Sequence, residues 1–378
     1  MKKNQTIACK YSTIEEYWKD YDLINLGESE NTYWDTFENG SRRKLEKKLT
    51  GYYKCDSLLL LNSGMSCIIA ILDTYNLKTN DVIVIGNQSY FETDYLIKNY
   101  YQARGVKVEK VDISNSADIK QALIELEPKL CLFETISNSP KIQVLDFDTD
   151  WFELAPNTIF VIDNSVQNRL TMWFEIVPKQ YHDRIIIIES GAKYITDKFN
   201  FGIVYGSVQS IDRVREFSTY AGIQLQQEIF FELKEKMISR AISQLKTQSN
   251  NVYLFKSLID TGHFEYFVKL DDYIITYRQS VVTKNGIGCL IFFNLGGKNL
   301  KSRHRNFVNR FKFECFKQNI IIDIRAGFGY KTTSIRTYED NKLNLASKSF
   351  FIRISVGVES SIKVKKMAII INQLSKSI

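Results

Sequence analysis

Between Ser57 and Gly206 short apolar runs alternate with amphipathic stretches. The runs are Leu58 to Leu61, Val82 to Ile85, Val106 to Val111, Leu130 to Phe133, Ile159 to Ile162, Ile185 to Ile188 and Ile203 to Tyr205. Ile159 to Ile162 and Ile185 to Ile188 in particular are short, rich in β-branched residues and bounded by small or polar ones, which is how a strand buried on both faces of a parallel sheet reads. Between them, Ser66 to Tyr75, Phe91 to Gln102 and Ser116 to Glu127 carry apolar residues at helical spacing. The alternation predicts right-handed crossovers and an α/β architecture, a mostly parallel seven-stranded sheet covered by helices. Only the short Asp197-Lys198-Phe199-Asn200 connection precedes the last run, which suits an antiparallel strand there.

After Gly206 the pattern changes. A long helical region runs from Ile211 to Leu258, interrupted near Tyr220-Ala221-Gly222, and leads into a second, smaller domain. There Phe264 to Lys269, Tyr273 to Tyr277 and Cys289 to Asn294 read as strands, with Lys284-Asn285-Gly286 as a turn. Helices are expected over Leu300 to Lys317 and Ser361 to Leu374, flanking a strand at Phe350 to Val356, so this domain is α+β and antiparallel. Residues from Met1 to about Thr50 read as an arm of the kind that packs on a partner subunit. Glu28 to Thr32 is loop-like, and a helix starts near Ser41, whose hydroxyl suits a cap ahead of Arg42 to Leu49. The division predicted is an arm over 1–50, a large domain over 51–232 and a C-terminal α+β domain over 233–378.

Composition narrows the classes. In 378 residues, 44% hydrophobic and 25% charged, there is ample apolar material for a core, and a disordered chain is excluded. The net charge of +7 is spread among acids, and the densest basic run, Arg42 to Lys48, contains Glu46, so a solvated helix face is expected rather than a nucleic-acid patch. Six cysteines without a C-x-x-C pair suit a reducing cytosol, and three scattered histidines offer no metal site. No stretch is apolar enough to serve as a signal core or span a bilayer, so no membrane partner is expected.

Candidate chemistry lies where the runs end. Asp163 follows Ile159 to Ile162, and Lys193 lies just beyond Ile185 to Ile188. Ligands of open α/β sheets bind outside the carboxyl ends of strands, so both could enter one pocket. A lysine and an aspartate so placed can serve pyridoxal 5'-phosphate (PLP), the lysine as Schiff-base partner and the aspartate on the pyridine nitrogen. Taken singly, the lysine suits a solvated loop and the aspartate a helix cap equally well. In Leu61-Asn62-Ser63-Gly64-Met65-Ser66-Cys67 the N–H groups of Gly64 and Met65 could form an anion site, or an ordinary strand-to-helix turn.

Six motifs in order, over most of the chain, decide between these readings. They are Asn62-Ser63-Gly64-Met65, Ser89-Tyr90-Phe91-Glu92-Thr93, Glu134-Thr135-Ile136-Ser137-Asn138-Ser139-Pro140, Asp163-Asn164-Ser165, Glu189-Ser190-Gly191-Ala192-Lys193-Tyr194 and Arg353-Ile354-Ser355-Val356-Gly357-Val358-Glu359. Together they resemble the Cys/Met-metabolism family of PLP enzymes, the cystathionine γ-synthase and γ-lyase group with the type I aminotransferase fold. The resemblance implies that Ser63, Gly64 and Met65 hold the phosphate, that Tyr90 stacks on the ring, and that Asn138 meets the ring hydroxyl. It further implies that Asp163, Ser165 and Ser190 belong to the cofactor site, that Lys193 is the Schiff-base lysine, and that Arg353 and Asn138 bind substrate, the arginine through its carboxylate. The residue types suit those tasks, since a guanidinium grips a carboxylate bidentately and a phenol ring stacks.

Three departures stand out. The family's Tyr-x-Arg pair in the arm is Trp34-Asp35-Thr36 here, which removes a phosphate contact made across the dimer. The threonine before the lysine is Ala192, leaving Arg42 or Arg43 as candidates to compensate. Arg325-Ala326-Gly327-Phe328-Gly329-Tyr330 replaces Ser-Leu-Gly-Gly where side-chain specificity is set. The function expected is a PLP-dependent lyase or transferase of the trans-sulfuration type, with elimination or replacement at the γ or β carbon of an amino acid and Tyr90 and Lys193 catalytic. A cytoplasmic homodimer or homotetramer is expected, and the departures suit a specialised biosynthetic pathway. A non-catalytic relative with a binding or scaffolding role, and a transaminase on the same fold, stand as alternatives.

Overall fold

The computed structural model describes residues 40–267, 274–340 and 349–377. Helix α1 (Gly40–Tyr53) leads to β1 (Ser57–Leu61), followed by α2 (Gly64–Thr74), β2 (Val82–Gly86), α3 (Phe91–Leu96), β3 (Lys107–Val111), α4 (Ser116–Leu126), β4 (Leu130–Glu134), β5 (Ile159–Asp163), β6 (Ile185–Ser190) and β7 (Gly202–Gly206). The seven strands form one sheet in the order β1-β7-β6-β5-β4-β2-β3. β3, β2, β4, β5 and β6 pair in parallel, and β7 runs antiparallel to both β6 and β1.

Alternate residues of each strand feed different cores, as period-two geometry requires. Leu59, Ile83, Leu132, Val161, Ile186 and Val204 join the layer under α2, while Leu58, Val84, Phe133, Ile162, Ile187 and Tyr205 join the layer holding Trp151 and Trp173. That two-sided burial is why the strands other than the edge strand β3, where Lys107, Glu109 and Lys110 are exposed, read as apolar runs.

β1 is an edge strand, and its open side is covered. Glu46 of α1 accepts the Leu60 N–H at 3.0 Å, and Arg215 donates to the Leu58 carbonyl at 2.9 Å while pairing with Glu46 at 2.6 Å. The run Arg42 to Lys48 is thus a solvated face only in part, since Arg42 and Glu46 are buried. Neither Arg42 nor Arg43 lines the candidate site described below. Helix α1 lies on its own chain's β1 and crosses the boundary placed at residue 50. The loop at Glu28 to Thr32, the cap at Ser41, the triplet Trp34-Asp35-Thr36 and Cys9 lie outside the residues and side chains described.

Gly202 sits where β7 passes the turn after β1. A Cβ there would collide with the Ser63 carbonyl and the Cys67 sulfur. Gly202→Ala should therefore cost about 3 kcal/mol of stability through overpacking, read as a lower urea midpoint. An unchanged midpoint would show that the turn has slack.

Beyond β7 come α5 (Val208–Tyr220), a short helix at Gln227–Glu232, and α6 (Glu235–Leu258). The second sheet holds β8 (Phe264–Phe267), β9 (Leu290–Leu295), β10 (Ser334–Asp340) and β11 (Ser349–Ser355), all antiparallel in the order β10-β11-β9-β8. One expected strand needs correction and one strand was missed. Ile274 to Thr276 is not a strand, and Tyr277 opens α7 (Tyr277–Thr283). Thr276 and Gln279 form a capping box there, and reciprocal caps outweigh the β-prone run; Tyr273 itself lies outside the described residues. The turn at Lys284-Asn285-Gly286 consequently follows a helix. β10 was not expected, because Ser-Ile-Arg-Thr-Tyr-Glu-Asp lacks an apolar run. α8 (Lys301–Lys317) and α9 (Ser361–Ser375) lie where expected, and among the described residues no helix is long and apolar enough to cross a membrane.

Candidate active site

The turn after β1, the carboxyl ends of β4, β5 and β6, and the facing edge of the second sheet enclose a cavity of about 850 Å³. Ser63, Gly64, Met65, Tyr90, Asn138, Asp163, Ser165, Ser190, Lys193 and Arg353 all line it. The structure thus brings together the ten residues expected at the cofactor and substrate site.

Local geometry fixes each of them. Ser63 caps α2, its Oγ accepting from Ser66 N at 2.9 Å, which sets the N–H groups that follow at the helix start. Gly64 passes so close to β6 that a Cβ would stand 3.2 Å from Ser190 Cβ. Ser190 N donates to Ser165 Oγ at 2.9 Å, tying the ends of β5 and β6. Tyr90 precedes α3, and its N–H donates to one oxygen of Glu134, whose other oxygen accepts from Asn138 N at 3.2 Å. One carboxylate therefore positions both residues. Arg353 on β11 donates through Nη1 to Asn138 Oδ1 at 3.4 Å and through Nη2 to the carbonyls of Ala326 and Gly327.

Electrostatics divides the cavity. Burial raises Asp163 above the ordinary carboxylate range, against the pull of Ser165 and Lys193. Burial, then Arg353, lowers Lys193, with Glu92 and Asp163 opposing, so the amine is more readily neutral than a free lysine. Its Nζ lies 4.9 Å from the centre of the Phe328 ring. Burial and then Glu92 hold the Tyr90 phenol well above its ordinary value, which keeps it protonated at neutral pH.

The sequence did not assign roles to Glu134, Glu92, Phe328 or Arg336, all of which line the cavity. Glu134 carried a signal, since it ends β4 in register with Asp163. Glu92 lies two residues from Tyr90 in the motif quoted above, whereas Phe328 and Arg336 reach the site only through the tertiary fold.

Residues 5–366 match the profile of the family described as Cys/Met metabolism PLP-dependent enzymes. The chain belongs to this family. It is accordingly a PLP-dependent enzyme, and its cofactor is pyridoxal 5'-phosphate. Over 333 residues it is 24% identical to the cystathionine beta-lyase of Neurospora crassa, spanning 85% of this chain and 69% of that one. Over 181 residues it is 26% identical to the L-methionine gamma-lyase of Fusobacterium nucleatum subsp. nucleatum, covering 47% of this chain and 44% of that relative. Among solved structures, the cystathionine gamma synthase of Xanthomonas oryzae pv. oryzae superposes with a TM-score of 0.73 at 16% identity, over 93% of this chain and 89% of that one. The cystathionine gamma-lyase of Lactobacillus plantarum gives 0.73 at 19%, over 93% and 90%. The fold is that of the type I PLP-dependent enzymes.

The residues present fit the cofactor. A desolvated carboxyl at Asp163 favours a cation beside it, the serine-rich turn presents backbone donors, and Lys193 is near both. Arg353 Nε is buried and has no hydrogen-bond partner among the described residues, a vacancy suited to a carboxylate.

Beneath the cavity Glu189 is fully buried, accepting from Asn164 Nδ2 at 3.0 Å, Asn168 Nδ2 at 2.6 Å and Tyr205 Oη at 2.9 Å. Burial pushes its carboxyl up to about 8, against the donors of Tyr205 and Asn164. The native chain then keeps a proton that the unfolded chain has released, so stability should fall as pH rises from its ordinary 4.5 to about 8 and level off above that. Melting temperatures from pH 5 to pH 9 test this, and Glu189→Gln should flatten the slope. An equally steep slope in the variant would assign the pH dependence elsewhere.

Proposed function

We propose that this chain catalyses elimination or replacement at the γ carbon of an amino acid, with the β carbon as the second reading. The observation that carries it is the meeting of Lys193, Tyr90, Asp163 and Arg353, from both sheets, in one cavity. Relatives named for β-lyase and γ-lyase activity support the reaction class.

When bound, PLP supplies the conjugated ring that accepts the electron pair released at Cα. Asp163 would meet the ring nitrogen and keep it charged, and Tyr90 would stack on the ring. Ser63, Gly64, Met65, Ser165 and Ser190 would hold its phosphate side. Lys193 takes the Cα proton, a task that its lowered basicity suits. Tyr90, held protonated, gives its phenolic proton to the departing group. Arg353 receives the α-carboxylate on its vacant Nε and, by exchanging its carbonyl partners, on the guanidinium edge. Arg353→Ala should raise KM for the amino acid about 10- to 100-fold, the scale of a charge-assisted hydrogen bond at 1.5–3 kcal/mol, with kcat changed less. A larger loss in kcat than in KM would remove Arg353 from ground-state binding.

The function is tested by incubating the PLP-loaded protein with amino acids bearing γ-leaving groups. Ketobutyrate and ammonia without an added acceptor support γ-elimination, and pyruvate supports β-elimination. A keto acid formed only with an amino acceptor would mean transamination. A protein that takes up no PLP would favour the scaffolding reading.

We place the enzyme in the cytosol, a setting supported by free Cys55, Cys67, Cys131, Cys289 and Cys315. We also read it as a homodimer or homotetramer, with domains divided at 50 and 232. Sedimentation and limited proteolysis check these points.

A further inference from the structure

Lys193 Nζ stands over the face of the Phe328 ring, 4.9 Å from its centre. At that range the electron-rich face of an aromatic ring attracts a cation, and the attraction grows when water is excluded. Among the described residues Lys193 forms no salt bridge. The charged and titratable groups that act on it are Glu92 of α3, Asp163 of β5 and Cys289 just ahead of β9, which favour its charge, and Arg353 of β11, which opposes it.

Phe328 is itself held in place. It is buried, and its ring meets that of Tyr194 edge-on with centres 6.2 Å apart. The next residue, Gly329, takes a left-handed φ of 77°. Its carbonyl accepts from Tyr194 N at 3.1 Å and from Gln244 Nε2 at 2.8 Å, and its own N–H donates to Ser355 Oγ at 3.1 Å. Tyr194 directly follows Lys193 and holds a left-handed φ of 65°, a costly conformation for a bulky side chain. The residue after the lysine is thus bonded to the residue after the phenylalanine, and this clamp delivers amine and ring to one spot.

We propose that Phe328 is a positioning residue for Lys193: the face of its ring receives the ammonium formed when Lys193 takes the Cα proton and holds it until the proton is passed on. The inference rests on the reading of Lys193 as the group that moves this proton, and adds the side chain that steadies it. In that step the Cα–H bond breaks, an N–H bond forms on Nζ, and the electron pair goes to the conjugated ring of the cofactor. The amine becomes charged inside a buried site, where burial works against the charge. A carboxylate in place of Phe328 would attract the ammonium so strongly that the proton stayed. An aliphatic side chain would offer the charge nothing. The ring stabilises the ammonium by an intermediate amount and ties it to no single direction, which suits a base that must swing between the atoms it serves. The altered Arg325 to Tyr330 segment thereby gains a task at the chemical step.

The test compares Phe328→Leu, Phe328→Tyr and a protein with a ring-trifluorinated phenylalanine at this position, which keeps the shape of the side chain but drains electron density from its face. In the protein without cofactor, reductive methylation by formaldehyde and cyanoborohydride, read at Lys193 by peptide mass spectrometry across pH, follows the neutral amine. In the leucine and fluorinated proteins the midpoint should move down by about one pH unit, a change of about 10-fold in the neutral fraction at a given pH. Phe328→Tyr, which keeps the aromatic face, should keep the wild-type midpoint. With PLP bound, exchange of the Cα hydrogen of L-norleucine into deuterated water, which needs no leaving group, should slow by about 10-fold in the same two proteins. A wild-type midpoint or an undiminished exchange rate in the fluorinated protein overturns the proposal. So does an equal displacement in Phe328→Tyr, which would make Phe328 a packing residue. Failure of Lys193 to react with PLP would sink the reading of the lysine instead, and the methylation profile would still decide on Phe328.

Discussion

On the proposed reading, in which the lysine both anchors the cofactor and moves the proton, Lys193→Ala should lose turnover by more than about 10⁴-fold, the upper end of what positioned proton transfer alone contributes. The wild-type protein mixed with PLP should show a visible band that borohydride removes, and the variant should lack it. The fold should not suffer. A desolvated ammonium costs free energy, so its removal should leave the apo melting temperature level or higher. Tyr194 beside it holds a left-handed φ of 65°, with its N–H on the Gly329 carbonyl at 3.1 Å and its Oη on the Val166 carbonyl at 2.7 Å. These contacts are independent of the lysine side chain, so the backbone there should stay put. A variant that keeps the band, or retains a tenth of the rate, would remove Lys193 from the chemistry.

Asp163→Asn should show two effects of opposite sign. Without cofactor the variant should be at least as stable as wild type, because burial disfavours the Asp163 charge. With PLP the order reverses, since a buried pair that loses one partner costs about 3–5 kcal/mol. That corresponds to a fall in kcat of about 10²- to 10⁴-fold, and the rise in melting temperature on adding PLP should shrink. Apo destabilisation combined with undiminished kcat would make Asp163 a structural cap only.

The large sheet was legible because its strands, apart from the exposed edge strand β3, are buried on both faces. Ile185 to Ile188 has no polar side chain to interrupt it, and neither has Leu58 to Leu61. The second sheet was harder. In β10, Ile335 is buried while Arg336 and Tyr338 turn to the cavity, so the strand carries functional residues where a core strand would carry apolar ones. α7 was hidden for a different reason, its cap being legible only if Thr276 is paired with Gln279. At the site, the residues at strand ends could be placed, since a strand and its terminus are local events. Their partners could not. Asn138 meets Arg353 across 215 positions and Glu134 meets Tyr90 across 44, separations that no local pattern encodes.

Translation adds an order to this architecture. Among the described residues β1 is the first strand made, yet its ladder there is to β7, the last strand of the large sheet. On the growing polypeptide Leu58 to Leu61 therefore wait, unpaired, until Gly202 to Gly206 have left the ribosome, and an apolar strand with open edges invites association with other nascent chains. Helix α1 is made before β1 and can mask one edge at once through Glu46. The salt bridge from Arg215 arrives only after β7. What is a buried ion pair in the finished enzyme is, on the ribosome, a guard in two instalments over a strand whose partner has yet to be synthesised.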